Sequence, residues 1–156
     1  MWKECKAMEQ DIIALRRALH QIPELALDLP ETLALIDAQL NDWGIPHHLS
    51  SGKAGIIGEF TGGREGRTIL LRADVDALPI QEETGLPFSS ENAGLMHACG
   101  HDTHLAALLG AARLLSAHRD ELCGNVKFFF QPDEEGNGGA QRMVDAGCLE
   151  NPHVDA

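Results

Sequence analysis

Ile12, Leu15, Leu19 and Ile22 recur three to four residues apart, the period of an amphipathic helix, and Pro23 ends the run. A second helix is predicted from Pro30 to about Trp43, with Pro30 suited to its first turn and Gly44 to its C-cap. Residues 55–60, Gly-Ile-Ile-Gly-Glu-Phe, read as a strand, 61–66 as a turn, and 67–72, Arg-Thr-Ile-Leu-Leu-Arg, as its partner strand. From Leu78 to Met96 the pattern is that of a loop, with prolines at 79 and 87. Leu105, Leu108, Leu109, Ala112 and Leu115 then mark a strongly apolar helix from about Thr103 to His118. Asn125 to Phe130 reads as a buried strand, Ala140 to Ala146 as a short helix ended by Gly147, and His153 to Ala156 as the opening of another strand. Strands alternating with helices predict an α/β fold, a sheet flanked by helices.

This layout places the polar residues with purpose. Asp74 and Asp76 follow a strand, Cys99 and His101 precede a helix, and Glu134 and Glu135 follow another strand. Ligands gather at the carboxyl ends of strands in open α/β sheets, so the three clusters are expected to meet at one rim. From Ala73 to His104 there are six acidic residues and no Lys or Arg. Carboxylates brought together at that density need a counter-charge, and a bound cation is the simplest one.

The chain has 156 residues, about one domain. Its net charge of −12 argues against nucleic acid or an anionic membrane as partner, because both require a basic footprint. The N-terminal stretch has no apolar core of the kind a signal peptide needs and no later run is long enough to span a bilayer, so a cytoplasmic protein is expected. Cys5, Cys99, Cys123 and Cys148 lack CxxC spacing and are read as thiols or ligands rather than disulfides, with Cys123 and Cys148 as small buried apolar residues.

Each cluster admits more than one chemistry. Cys99 and His101, one glycine apart, either grip one ion, bridge two, or are a thiol beside surface histidines. Glu134 and Glu135 are either a solvated pair or divide the labour of metal ligand and proton acceptor. Asp74 and Asp76, at i and i+2, share a face in extended chain: one reaches the site while the other supports it, or one orients a ligating imidazole. His20, His47, His48, His118 and His153 have no sequence cluster around them and read as structural or exposed, whereas His97 and His104 are left between ligand and hydrogen-bonding roles. Thiol catalysis by Cys99 with His101 or His104 as base is a further alternative, but it leaves the four carboxylates without a task.

Four segments together, Leu-Arg-Arg-Ala-Leu-His20-Gln-Ile-Pro-Glu-Leu, Arg-Ala-Asp74-Val-Asp76-Ala-Leu-Pro, His97-Ala-Cys99-Gly-His101-Asp102 and Phe130-Gln-Pro-Asp-Glu134-Glu135-Gly, resemble the metal-dependent N-acyl-amino-acid amidohydrolases, which include hippurate hydrolases, auxin-conjugate hydrolases and aminoacylase-like carboxypeptidases. The resemblance implies a zinc-peptidase-like sheet and a two-metal hydrolase of small N-acyl amino acids or short peptides. It implies Cys99, His101 and Glu135 as metal ligands, Glu134 as general base and Asp76 as the aspartate supporting the metal site. The metals are expected to be zinc or manganese, with cobalt or nickel also suited. It further implies that residues 1–156 are the N-terminal part of a catalytic domain, without the lid or dimerisation domain and the C-terminal catalytic segment that carry two further ligand histidines. An uncovered sheet edge in such a chain would favour self-association. The alternative is a catalytically inactive, shortened derivative acting as a metal-binding or interaction protein.

Overall fold

A computed structural model describes residues 1–50, 55–136 and 138–156. Its elements run α1 (Trp2–Ala7), α2 (Glu9–Gln21), α3 (Pro30–Asp42), β1 (His47–Leu49), β2 (Ile56–Thr61), β3 (Arg64–Asp74), α4 (His101–Ala117), a 3-10 turn (Arg119–Glu121), β4 (Cys123–Gln131) and α5 (Gly139–Asp145). The helices read from the apolar period are all present, and α4 begins two residues earlier than expected. Two short elements, α1 and β1, left no periodic signal.

The sheet has the order β1-β2-β4-β3. This corrects the expected hairpin: β2 and β3 are adjacent in sequence, yet β4 lies between them, antiparallel to β2 and parallel to β3. The physical reason lies in β4 itself. Its run Val126-Lys-Phe-Phe-Phe130 is buried on both faces and needs strands on both sides, whereas β2 and β3 each tolerate an edge or a thin neighbour. The β2–β3 connection passes over the start of β4, where Gly62 N–H donates to Gly124 O at 2.7 Å. At the far edge of β3, Asp155 N–H donates to Thr68 O and Leu70 N–H to Ala156 O, so residues 155–156 run beside β3 as the sequence predicted for a strand opening.

Alternation along β4 builds two cores. Val126, Phe128 and Phe130 face α2, α3 and α4 and join Leu19, Ile36, Leu40, Leu105 and Leu109. Phe129 faces the other way, onto Ile57, Met143 and Cys148. On that second face Lys127 is buried, its ammonium donating to the carbonyls of Glu150 (2.7 Å) and Cys148 (3.2 Å). Cys148 is buried as expected; Cys123 is exposed, because it opens β4 at the sheet's end, and this overturns its reading as a core residue. All four cysteines are free.

Local chemistry fixes the helix that backs the site. Glu24, buried at the end of the Leu-His-Gln-Ile-Pro-Glu segment, caps α3: its carboxylate accepts the N–H groups of Glu31 (3.1 Å) and Thr32 (2.8 Å), two of the donors a helix N-terminus leaves unpaired. Gly44 follows the last turn with φ +64, and Ile45 N–H closes back on Leu40 O at 2.9 Å, a Schellman-type stop that glycine permits. None of the helices is long and apolar enough to cross a membrane.

Candidate metal centre

β3 and β4 run parallel, so their carboxyl ends open at the same rim, and the segment leading into α4 meets them there. Val75 N–H donates to Gln131 O at 3.0 Å, extending the pairing just beyond β3 and setting Asp76 opposite the start of the Asp133–Glu135 turn. Gly100 (φ +94) lets the chain turn sharply between Cys99 and His101 before α4 begins.

His101 is the centre of the arrangement and is almost wholly buried. Its Nδ1 lies 2.9 Å from Asp76 O, a contact in which the ring donates and which leaves Nε2 free to act as a ligand. Around Nε2 stand Asp74 Oδ2 at 3.6 Å, Glu134 Oε2 at 3.8 Å and Glu135 Oε1 at 3.8 Å. Asp76 is buried; its Oδ2 accepts the Glu135 N–H at 3.1 Å, tying the end of β3 to the glutamate turn. Its Oδ1 is buried without a hydrogen-bond partner among the described residues. All five residues singled out from the sequence, Asp76, Cys99, His101, Glu134 and Glu135, therefore converge at one rim.

Cys99, His101 and Glu135 each offer a donor atom within 4.8 Å of the others. Asp74, His101 and His104 form a second such group, sharing His101. The two groups differ in how well they are already satisfied. Asp74 takes Arg72 at 2.9 Å and His104 Nδ1 at 2.6 Å. Burial alone would push the Asp74 carboxyl up, but the hydrogen bond from His104 and the charges of His101, Arg72 and His104 outweigh it and hold it below the usual carboxylate range. The Cys99 group is the reverse case. A hydrogen bond to Glu135, then burial, then the charges of Glu135, Glu134 and Asp74 push the thiol up to about 11. A nucleophilic cysteine needs a lowered pKa, so this environment argues against thiol catalysis. Soft sulfur, imidazole and carboxylate in convergence, with uncompensated negative charge and an Asp76 oxygen behind them that lies 3.5 Å from His101 Nδ1 and has no hydrogen bond among the described residues, fit a divalent cation.

Sequence reasoning passed over one cluster. His20 has in sequence only Arg16, Arg17 and Glu24 as charged neighbours within four residues, yet its ring nitrogens face Asp102 at 2.6 Å and Glu82 at 3.4 Å. The expectation that it stands outside any cluster is corrected; its partners lie 82 and 62 residues away in the chain. The only signal was the Leu-His-Gln-Ile-Pro-Glu motif itself. His97 is buried nearby, 6.3 Å ring to ring from His20, with both nitrogens lacking a partner among the described residues. His104 is mostly exposed and stacks against His101 at 5.8 Å. His47, His118 and His153 pair with surface carboxylates.

A sheet flanked by helices, with metal-type donors gathered at the carboxyl ends of its parallel strands, defines an α/β protein with a candidate metal centre. The model of peptidase family M20/M25/M40 matches residues 70–156, and the chain belongs to this family. It is 48% identical over 96% of its length to the N-acetyl-L-cysteine deacetylase of Bacillus subtilis, of which it spans 35%. It is 42% identical over 94% of its length to the N-acyl-L-amino acid amidohydrolase of Geobacillus stearothermophilus, of which it spans 40%. Among solved structures, the YXEP protein of Bacillus subtilis, described as a dinuclear metal binding peptidase of the M20 family, superposes with a TM-score of 0.90 at 45% identity. That alignment covers 96% of this chain and 42% of the YXEP chain. The chain thus spans about two-fifths or less of the length of the curated relatives named here.

Proposed function

We propose that this chain is the N-terminal part of the catalytic domain of a metal-dependent amidohydrolase that cleaves the amide bond of N-acyl amino acids or short peptides. The observation that carries the reading is the convergence of Cys99, His101 and Glu135 beside Glu134 at the strand ends, in a chain similar over most of its length to relatives named for action on N-acyl amino acids. Cys99 Sγ, His101 Nε2 and a Glu135 oxygen would hold the cation, with Asp74 and His104 flanking it. A divalent ion bound there would supply Lewis-acid polarisation of the scissile carbonyl and of the attacking water. Zinc or manganese suits the mixed sulfur, nitrogen and oxygen set, with cobalt or nickel as substitutes.

The chain's own groups have distinct tasks in this reading. Glu134 is more exposed than Glu135, and its carboxylate faces the opening. One of its oxygens takes a proton from water as the water oxygen adds to the amide carbon. As the C–N bond breaks, the same oxygen returns the proton to the departing amine. Asp76 orients rather than reacts. Its carbonyl fixes the His101 tautomer and its carboxylate fixes the glutamate turn. Four free cysteines suit a reducing compartment and support a cytoplasmic location.

The test is release of free amino acid from an N-acetyl amino acid by the zinc- or manganese-loaded chain, alone and with the C-terminal segment of a relative supplied in trans. Turnover that disappears in Glu134→Gln supports the reading. Cation binding with no turnover in either arrangement would mean a non-catalytic metal-binding derivative. Absence of cation binding as well would sink both.

A further inference from the structure

The proposed chemistry makes no use of the segment 16–24, although its Arg16, His20 and Glu24 all make hydrogen bonds or ion pairs with distant or buried groups. Asp102 is completely buried and directly follows His101. Its Oδ2 receives Arg16 Nε at 2.9 Å and His20 Nδ1 at 2.6 Å, and its Oδ1 accepts the N–H of Thr103 at 2.9 Å. Arg16 NH2 also lies 3.3 Å from His20 Nδ1; the much shorter contact to Asp102 shows that this nitrogen donates to the carboxylate, so the Arg16 approach is adjacency.

The other side of His20 faces the loop between β3 and α4. Its Nε2 lies 3.4 Å from Glu82 Oε1, while Glu82 Oε2 accepts the N–H of Ser90 at 2.7 Å. Phe88 from the same loop meets the His20 ring edge-on at 5.7 Å and lies under the guanidinium groups of Arg16 and Arg17. Four residues further along, Glu24 O accepts the N–H of Ala77 at 2.8 Å, immediately after Asp76, whose own carbonyl holds His101. Residues 20–24 therefore grip the chain just past His101, at Asp102, and just past Asp76, at Ala77.

The ring contacts of His101 with Asp76 O and of His104 with Asp74 hold the first turn of α4 on its site side, and among the described residues Arg16 and His20 hold it from behind through Asp102. Gly100 is its N-cap, with no side chain to accept a helix N–H, and the turn relies on Asp102. An aspartate buried at this depth stays where its donors are. With His20 removed, the carboxylate beside His101 loses its shortest contact and keeps on that oxygen only the partly exposed Arg16 among the described residues. Metal donors tolerate only a few tenths of an ångström, and partners that orient a ligand from behind typically contribute about 10- to 100-fold in affinity.

We infer that His20 is a positioning residue for the metal-donor set, acting through Asp102 to hold His101 and Cys99 in register with Glu135. The inference rests on the metal-site reading given above. Zn2+ affinity, by calorimetric titration, and the Co2+ absorption spectrum would be measured on the 156-residue chain for wild type, His20→Ala, His20→Gln and Asp102→Asn. Ile36→Val, a mild core lesion in α3, serves as the control that lowers stability away from the site. The expected result is Zn2+ affinity lower by about 10- to 100-fold in His20→Ala, with an altered Co2+ spectrum, partial recovery in His20→Gln, and wild-type affinity in Ile36→Val. A merely structural role would lower the denaturation midpoint while folded His20→Ala bound Zn2+ as wild type does; that result overturns the inference. Should His20→Ala not fold, wild-type affinity and spectrum in both His20→Gln and Asp102→Asn overturn it equally. If the wild-type chain itself takes up neither Zn2+ nor Co2+, the metal-site reading falls and this inference with it.

Discussion

Two polar clusters lie on either side of His101, and they are built on opposite principles. Behind it, Arg16, His20, Glu82 and Asp102 form a closed network in which each carboxylate meets donors at hydrogen-bond distance or close to it. In front, Cys99, Glu134, Glu135 and Asp76 crowd negative charge and lone pairs together, and one Asp76 oxygen has no hydrogen bond among the described residues. A buried network so satisfied specifies geometry; a cluster so unsatisfied specifies a ligand. In the proposed reading the rear cluster is scaffold and the front cluster is the metal site, although the two have similar composition.

The comparison breaks most visibly at Asp102. Asp102→Ala leaves Arg16 and His20 facing each other without the carboxylate, and is expected to cost about 3–5 kcal/mol in urea unfolding. A loss below about 1 kcal/mol would show that the rear network is not the scaffold described here.

Acid titrates a group beside each cluster, His97 behind and Asp74 in front, in separate windows. Burial takes His97 from its ordinary 6.5 down to about 4, with the charge of Asp102 opposing and those of His20, His101 and Arg16 adding to the fall. Between these values the unfolded chain binds a proton that the folded chain refuses. Stability therefore falls as pH drops from about 6.5 to about 4, by about 3 kcal/mol from this group, and no further below that. Asp74, held below its usual range, contributes stability above about pH 4 that is lost as pH falls through its folded value. Denaturation midpoints measured from pH 7 to pH 3 should decline throughout; a flat profile from pH 6.5 to 4 would contradict the burial of His97.

At the front cluster, Glu135→Gln is expected to weaken Zn2+ binding by about 100-fold or more, beyond the loss of an orienting partner. In the unloaded chain the same change relieves repulsion and should raise stability by a few tenths of a kcal/mol. The opposite signs of these two effects in one variant are what separate a ligand from a structural carboxylate, and unfolding curves with and without Zn2+ read both.

The smallest effect is the sharpest. His97→Leu replaces an unpartnered buried imidazole with an apolar group, so stability at pH 7 should stay within about 1 kcal/mol of wild type or rise. The decline between pH 6.5 and 4 should flatten in this variant while the Asp74 decline below pH 4 persists. A large loss at pH 7 would mean that His97 holds a partner that the described residues do not include.

The long elements were legible because the apolar period writes them directly: α2, α3, α4 and β4 fall within two or three residues of their expected bounds. The site was legible because Cys99, Gly100 and His101 are consecutive and Glu134 and Glu135 follow a strand. The partnership of β2 and β3 was not, because adjacency in sequence mimics a hairpin and nothing local records that β4 arrives later to separate them. His20 was missed for the same reason, its partners Asp102 and Glu82 being far along the chain. Asp74 and His104 were visible as residues but not as a pair, since only the parallel β3–β4 rim and the first turn of α4 bring them to 2.6 Å.

By itself the sequence determined which side chains could carry chemistry and which local elements present them, since helix period, strand alternation and donor type are properties of neighbouring residues. Only the tertiary structure decided which carboxylates are spent on donors and which are left over. That division depends on burial and on contacts across 30 to 80 residues of chain, of which the 2.6 Å contacts of His104 with Asp74 and of His20 with Asp102 are the clearest cases.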